Sequence, residues 1–260
     1  MKNRLTGAVT RFLAAAAGAV AVAAAEPPPT EPPVAANTET TSQSVWQRAI
    51  HATGPVHEAR FLRVEGRITS NEGTTRIQFL SSLVRPRRLV IRQTLPDLRV
   101  MEMGCHGDLG WLRSPIDGTV KPMEATAVVA ASAGLIPTNM MFALADRFPH
   151  RQLGPIEMDH GVPCRRLELE DRDGIKGSAW FDERTGQLRR LRTLDRDPLK
   201  PATELSIDAW KTLGTLSVPC IITIQTGNQV TRSEMTSISL EPIPDSEFAP
   251  PKELQAIATD

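Results

Sequence analysis

The chain has 260 residues, and its 30 lysines and arginines balance 30 aspartates and glutamates, so the formal charge is zero. That balance excludes a polyanion binder held by net charge, and 4% aromatic content with no tyrosine leaves no stacking platform for nucleic acid. The length admits one large domain or two small ones.

Residues 1–25 read as an export signal. Lys2, Arg4 and Arg11 precede an apolar run over 12–25, which ends in Ala23, Ala24 and Ala25 just before Glu26. The run is shorter than the roughly 20 apolar residues of a spanning helix, and no cysteine stands at the cut. The expected destination is the periplasm. Without the leader, 27 basic face 30 acidic residues, a formal charge of −3. Residues 26–43 (EPPPTEPPVAANTETTSQ) carry too few apolar side chains to fold and read as a Pro/Thr-rich disordered tether. A single folded domain is expected over 44–251, followed by a tail over 252–260.

Ser44 is the predicted cap of a short helix over 45–53, with Val45, Trp46, Ala49 and Ile50 on one stripe and Gly54 and Pro55 ending it. Strands at close spacing follow. Leu62, Val64 and Ile68 alternate with charged residues; Asn71, Glu72 and Gly73 turn the chain into 76–83; Pro86 breaks that strand. The pattern resumes through Leu89 to Ile91 and Leu98 to Met103, then passes a glycine-rich turn at 104–110 to Trp111. Between 122 and 148 the pattern becomes helical. An alanine-rich helix from Met123 is stopped by Gly134 and Pro137, and Thr138 caps a second helix in which Met141, Leu144, Ala145 and Phe148 share a face.

The clearest stretch is 159–194, a three-strand meander. Arg165, Leu167 and Leu169 alternate with Cys164, Arg166, Glu168 and Glu170; the chain turns at Asp171–Gly174, continues through Ser178 to Phe181, turns again at 182–186, and returns over 188–194. Strands resume over 205–210, 218–226 and 230–240, and a proline-rich segment closes the chain. The short connections favour antiparallel neighbours. The expected fold is therefore mainly β within the α+β class: about ten or eleven strands in one curled antiparallel sheet, an incomplete β-barrel covered by short helices.

A search for catalytic patterns finds no GxSxG, HExxH, phosphate loop or CxxC. The expectation is a non-enzymatic protein with no cofactor and no metal. Cys105, Cys164 and Cys220 allow one disulfide in an oxidising compartment, Cys164 with Cys220 being conceivable, or three unpaired thiols. His160 and Cys164 with Cys105 and His106 form the one metal set to weigh, and turn or strand roles account for them better. Methionines and aromatics do concentrate in the middle of the chain. Met101, Met103, Trp111, Met140, Met141, Leu144, Phe148 and Trp180 are the candidate lining of an apolar cavity, the alternative being an ordinary core under two helices.

The ordering of these elements resembles the LolA-like periplasmic lipoprotein carriers and outer-membrane lipoprotein-sorting proteins. The resemblance runs over about 44–251. It rests on the leader, the first helix, HGVPCRRLEL followed by AWFDERTGQLRRL, the Val218-Pro219 strand start and the closing DSEFAPP, with the turn at 180–186 and the final Phe248 to Pro250 the most specific. It implies a half-barrel with an apolar cavity for lipid or lipoprotein acyl chains, and hands over no site residue. The expected function is a monomeric periplasmic carrier that shields acyl chains, with a possible membrane-protein partner and no nucleic acid. The alternative is an envelope sensor or scaffold that binds a protein instead of lipid.

Overall fold

The computed structural model describes residues 40–55, 59–82, 88–132, 144, 147–195, 197 and 199–255. The leader, nearly all of the tether, most of the predicted helix over 139–148 and both Met140 and Met141 lie outside the described residues.

Thirteen strands form one antiparallel sheet that does not close into a barrel: β1 (Phe61–Ser70), β2 (Gly73–Ser82), β3 (Arg88–Thr94), β4 (Val100–His106), β5 (Leu109–Arg113), β6 (Val120–Glu124), β7 (His150–Asp159), β8 (Val162–Glu170), β9 (Lys176–Asp182), β10 (Leu188–Thr193), β11 (Thr203–Leu213), β12 (Leu216–Thr226) and β13 (Gln229–Ser239). Their order is β6-β5-β4-β3-β2-β1-β13-β12-β11-β10-β9-β8-β7. Two meanders are thus sewn together where β1 pairs with β13. One steps outward from β1 to the edge at β6; the other begins at the opposite edge, β7, and steps back.

Two of the thirteen strands exceed the expected ten or eleven, and they are β6 and β7, the two edges. Each contains a proline, Pro122 in β6 and Pro155 in β7. An edge strand tolerates proline where the missing N–H would face solvent, and the same proline deters another chain from pairing there. The residue pattern at Met123, expected to open a helix, belongs to β6 instead.

The glycines read as a turn at 104–110 are also mostly strand residues, with the reversal confined to Gly107 and Asp108. A Cβ on Gly104 would enter the Trp111 ring. One on Gly110 would lie 2.9 Å from Val128 Cγ2 and 2.8 Å from the Met123 carbonyl oxygen, so bare backbone here lets a helix settle onto β5.

That helix is α2 (Ala125–Ser132). The other substantial one is α1 (Ser42–Thr53), which starts earlier than expected because Thr41, not Ser44, is its cap. The Ser44 N–H donates to Thr41 Oγ1 at 3.1 Å while the Thr41 N–H donates to Ser44 Oγ at 2.9 Å, a reciprocal capping box. Thr41→Ala is expected to lower stability by about 1 kcal/mol, measured by urea unfolding.

Both helices cover the same face of the sheet. Under α1 lies one apolar cluster, including Val45, Trp46, Leu167, Ala179, Phe181, Leu188 and Ile207; under α2 lies another, including Val64, Phe79, Ile91, Met103, Cys105, Val128 and Ile238. The opposite face is apolar in its first half only. There Leu80, Val90 and Trp111 are covered by the C-terminal segment through Ile243, Phe248 and Leu254. This segment contains a 3₁₀ turn (Asp245–Phe248) and the four-residue helix α3 (Lys252–Gln255).

None of the three cysteines forms a disulfide. Cys164 on β8 and Cys220 on β12 are four strands apart, roughly 19 Å along the sheet, against the under 7 Å or so that a disulfide spans between Cα atoms. Cys105 and His106, on β4, are nine strands from Cys164.

Candidate functional site

The helix-covered face is the surface on which the expected cavity residues can be placed. α1 packs across it from β12 to β7. Its Trp46 meets Phe181 of β9 edge-on, with ring centroids 5.7 Å apart, and the Arg151 guanidinium from β7 stacks 4.4 Å over the indole. Outside this contact, Glu183 accepts from Arg165 Nε at 2.7 Å and faces Arg48 of α1 at 3.7 Å, tying the helix to the turn after β9. Leu144 and Phe148 join the same cluster, each almost wholly buried. Phe148, two residues before β7, thus lies under α1 at the edge of the sheet opposite β6.

Beyond the C-terminal end of α1 a crevice of about 480 Å³ opens between the start of β1, the β11–β12 turn and the end of β13. Pro55, Ala59, Phe61, Leu213, Leu216, Leu240 and Pro242 make it mostly apolar, and Arg60 stands exposed at its margin. Leu213 and Leu240 also pack against the cluster under α2, so the crevice adjoins the buried apolar surface of the helix-covered face. Its volume falls in the range of small-molecule sites.

Of the eight residues expected to line a cavity, the structure brings four to this face: Met101 and Met103 on β4, Leu144 and Phe148 under α1. Met140 and Met141 lie outside the described residues. Trp111 and Trp180 are on the other face. Trp111 pairs with Gly104, one residue out of step with Met103, and its ring lies under the C-terminal segment while its Nε1–H donates to Glu102 at 3.3 Å. Trp180 alternates with Ala179 and Phe181 and so points away from them. It is stacked between the guanidinium groups of Arg190, at 4.0 Å, and Arg166, at 5.5 Å, and its Nε1–H donates to Glu157 at 2.8 Å. That N–H, followed by the Arg166 guanidinium, holds the Glu157 carboxyl below the usual carboxylate range.

Pattern alone did not mark Phe181 and Val128 as core, nor Trp210 as a polar-tipped member at its edge. The stripe Val45, Trp46, Ala49, Ile50 did carry the signal for Trp46. The lone tryptophan of β11 gave none.

Near Trp180, Cys164 is buried, and burial followed by the neighbouring Asp159 carboxylate pushes its thiol up to about 11 from an ordinary 9.0. Because the folded value is the higher one, the protonated thiol's contribution to stability is complete below pH 9 and is lost as pH rises from about 9 to about 11. The urea midpoint is expected to fall across that window, and to fall less in Cys164→Ala. Among the described residues, no group of three His, Cys, Asp or Glu side chains could hold a metal ion, and no helix is long and apolar enough to cross a membrane.

No protein-family model matches the sequence, and no curated protein does. Solved structures do match the fold. A DUF1329 family protein from Desulfovibrio piger superposes with a TM-score of 0.57 at 11% identity, over 80% of this chain and 97% of that one. A LolA superfamily protein from Nitrosomonas europaea gives 0.53 at 14% identity, over 82% and 99%. The fold is shared with this LolA superfamily protein. A domain from Vibrio parahaemolyticus described as an outer-membrane lipoprotein-sorting protein gives 0.56 at 11% identity, over 80% and 95%. At these identities the likeness to LolA-type proteins is one of fold, and what the chain binds has to be argued from its own surfaces.

Proposed function

We propose that this LolA-fold protein is a non-enzymatic carrier that binds the acyl chains of a lipid or lipoprotein against the helix-covered face of its sheet, and that its export signal delivers it to the periplasm. The observation that carries this reading is the crevice past α1, mostly apolar, about 480 Å³, and adjoining the buried cluster under α2. The dimensions of the sheet support it. Thirteen strands span roughly 55–60 Å along the hydrogen-bonding direction, and α1, packed from β12 to β7, and α2, packed on β4 to β6, leave the strands from β3 through β1 to β13 between them. Burial of each acyl methylene is worth about 0.8 kcal/mol, so a long chain binds well with few polar contacts. The fold shared with a lipoprotein-sorting domain agrees with this use.

A second reading, protein binding along the free edge, draws on Leu153, Ile156 and Met158 of β7, which are 40%, 51% and 66% exposed. Pro155 and the bulge between Leu153 and Ile156 interrupt the hydrogen-bonding ladder that an added strand would need, which favours the carrier. The test is organic extraction and mass spectrometry of protein purified from its native envelope. The carrier reading expects a stoichiometric acyl lipid. Protein that is lipid-free as isolated, and that takes up no fatty acid when offered one, contradicts it.

A further inference from the structure

Four tryptophans divide into two pairs. Trp111 and Trp180, on the face away from α1 and α2, each donate the indole N–H to a carboxylate, Glu102 and Glu157. Trp46 and Trp210 belong to the cluster under α1, Trp46 with 1% of its surface exposed and Trp210 packed against the cluster's edge. Their Nε1 atoms are buried and have no hydrogen-bond partner among the described residues. A buried donor without an acceptor is rare in folded proteins, because the group has given up water and received nothing in exchange. Two of them fall in one apolar cluster, in a chain that satisfies its other two indoles with glutamates, so this cluster holds two donors that a ligand's acceptor can engage.

We infer that Trp46 and Trp210 are the polar anchor of the acyl site, taking the oxygen acceptors at the head of an acyl chain beneath α1 while the hydrocarbon extends toward the cluster under α2. This rests on the carrier reading and specifies which end of the ligand goes where. The surroundings suit an oxygen acceptor. The Arg151 guanidinium on the Trp46 ring places positive charge beside the donor, which favours a carboxylate or a polarised ester carbonyl, and the rest of the cluster is hydrocarbon that excludes competing water. Trp210 sits on β11, the strand whose turn into β12 borders the crevice, so a chain entering past Pro55 meets this region first.

The test uses the four indole N–H signals in a nitrogen-15 NMR spectrum, assigned by single Trp→Phe substitutions, which keep a smaller aromatic ring and remove the donor. Sodium palmitate is expected to move the Trp46 and Trp210 signals downfield and leave those of Trp111 and Trp180 in place. Methyl palmitate separates the sources of the oxygen: movement with both probes identifies the carbonyl as the acceptor, movement with palmitate alone identifies the carboxylate. Trp46→Phe and Trp210→Phe should each weaken palmitate binding about 2- to 10-fold without altering the binding of hexadecane, which has no oxygen. Thermal unfolding of both variants checks that the fold is intact. Palmitate that binds while the Trp46 and Trp210 signals stay fixed overturns the inference and spares the carrier; for Trp46 it would mean that the edge-on Phe181 ring already serves as its acceptor. Equal weakening of hexadecane binding also overturns it. Failure of all three probes to bind removes the carrier reading together with the anchor.

Discussion

Phe248→Ala is expected to destabilise the protein by about 3–5 kcal/mol, the cost of emptying a fully buried phenylalanine site. Phe248 is the centre of the contact by which the C-terminal segment covers Leu80, Val90 and Trp111. Three ion pairs accompany it: Arg63 with Glu247 at 2.7 Å, Arg88 with Asp245, and Arg113 with Glu253 at 3.3 Å. Their members are partly or largely exposed, so each is worth about 0.2–1 kcal/mol, and all three together weigh less than the one ring. Glu247→Gln should therefore shift the unfolding midpoint only slightly where Phe248→Ala shifts it strongly. Unfolding followed by tryptophan fluorescence checks both, and in Phe248→Ala the Trp111 emission should move to the red as its cover loosens. Equal effects from the two substitutions would mean that charge, not burial, seats the segment.

Phe148→Ala is expected to cost a similar 3–5 kcal/mol but to differ in consequence, because Phe148 lies on the other face of the sheet. Its N–H closes a helical turn onto the Leu144 carbonyl at 3.0 Å, and its ring packs with Trp46 and Phe181 where the connection from β6 reaches the α1 end of the sheet. Removing the ring loosens that arrival point and opens the proposed acyl surface to water. Fatty-acid affinity should fall in Phe148→Ala and stay unchanged in Phe248→Ala, measured under conditions where both remain folded. Two equally destabilising substitutions on opposite faces thus separate a binding surface from a structural one.

The meander over 159–194 was legible because its chemistry is local: alternating residues, an Asp171 to Gly174 turn with Gly174 at φ 79°, and an Asp182 to Gly186 turn with Gly186 at φ 75°. In the second turn the Asp182 carboxylate accepts from the N–H groups of Arg184 and Thr185, contacts already implied by Asp-Glu-Arg-Thr-Gly. The strands that escaped notice, β6 and β7, carry the prolines that edge positions permit, and nothing in their own residues says that they are edges. Trp111 and Trp180 were assigned to a cavity on residue type, although the period of two already set Trp180 apart from Ala179 and Phe181. The uninterrupted apolar runs Phe79-Leu80 and Leu89-Val90-Ile91 held a further message. Strands buried on both faces need a cover on each, and the second cover is the C-terminal segment. The pairing state of the indole donors could not be read at all from sequence, since it depends on which glutamates the sheet brings beside which rings.

The measurement that bears most directly on the account is photocrosslinking with a palmitate carrying a diazirine midway along its chain, followed by peptide mapping. Adducts on residues of the helix-covered face, such as Met103, Val128, Leu144 or Phe148, are the predicted result, with labelling suppressed by excess unmodified palmitate. Saturable adducts confined to the opposite face, on peptides bearing Trp180 or Phe248, would contradict it.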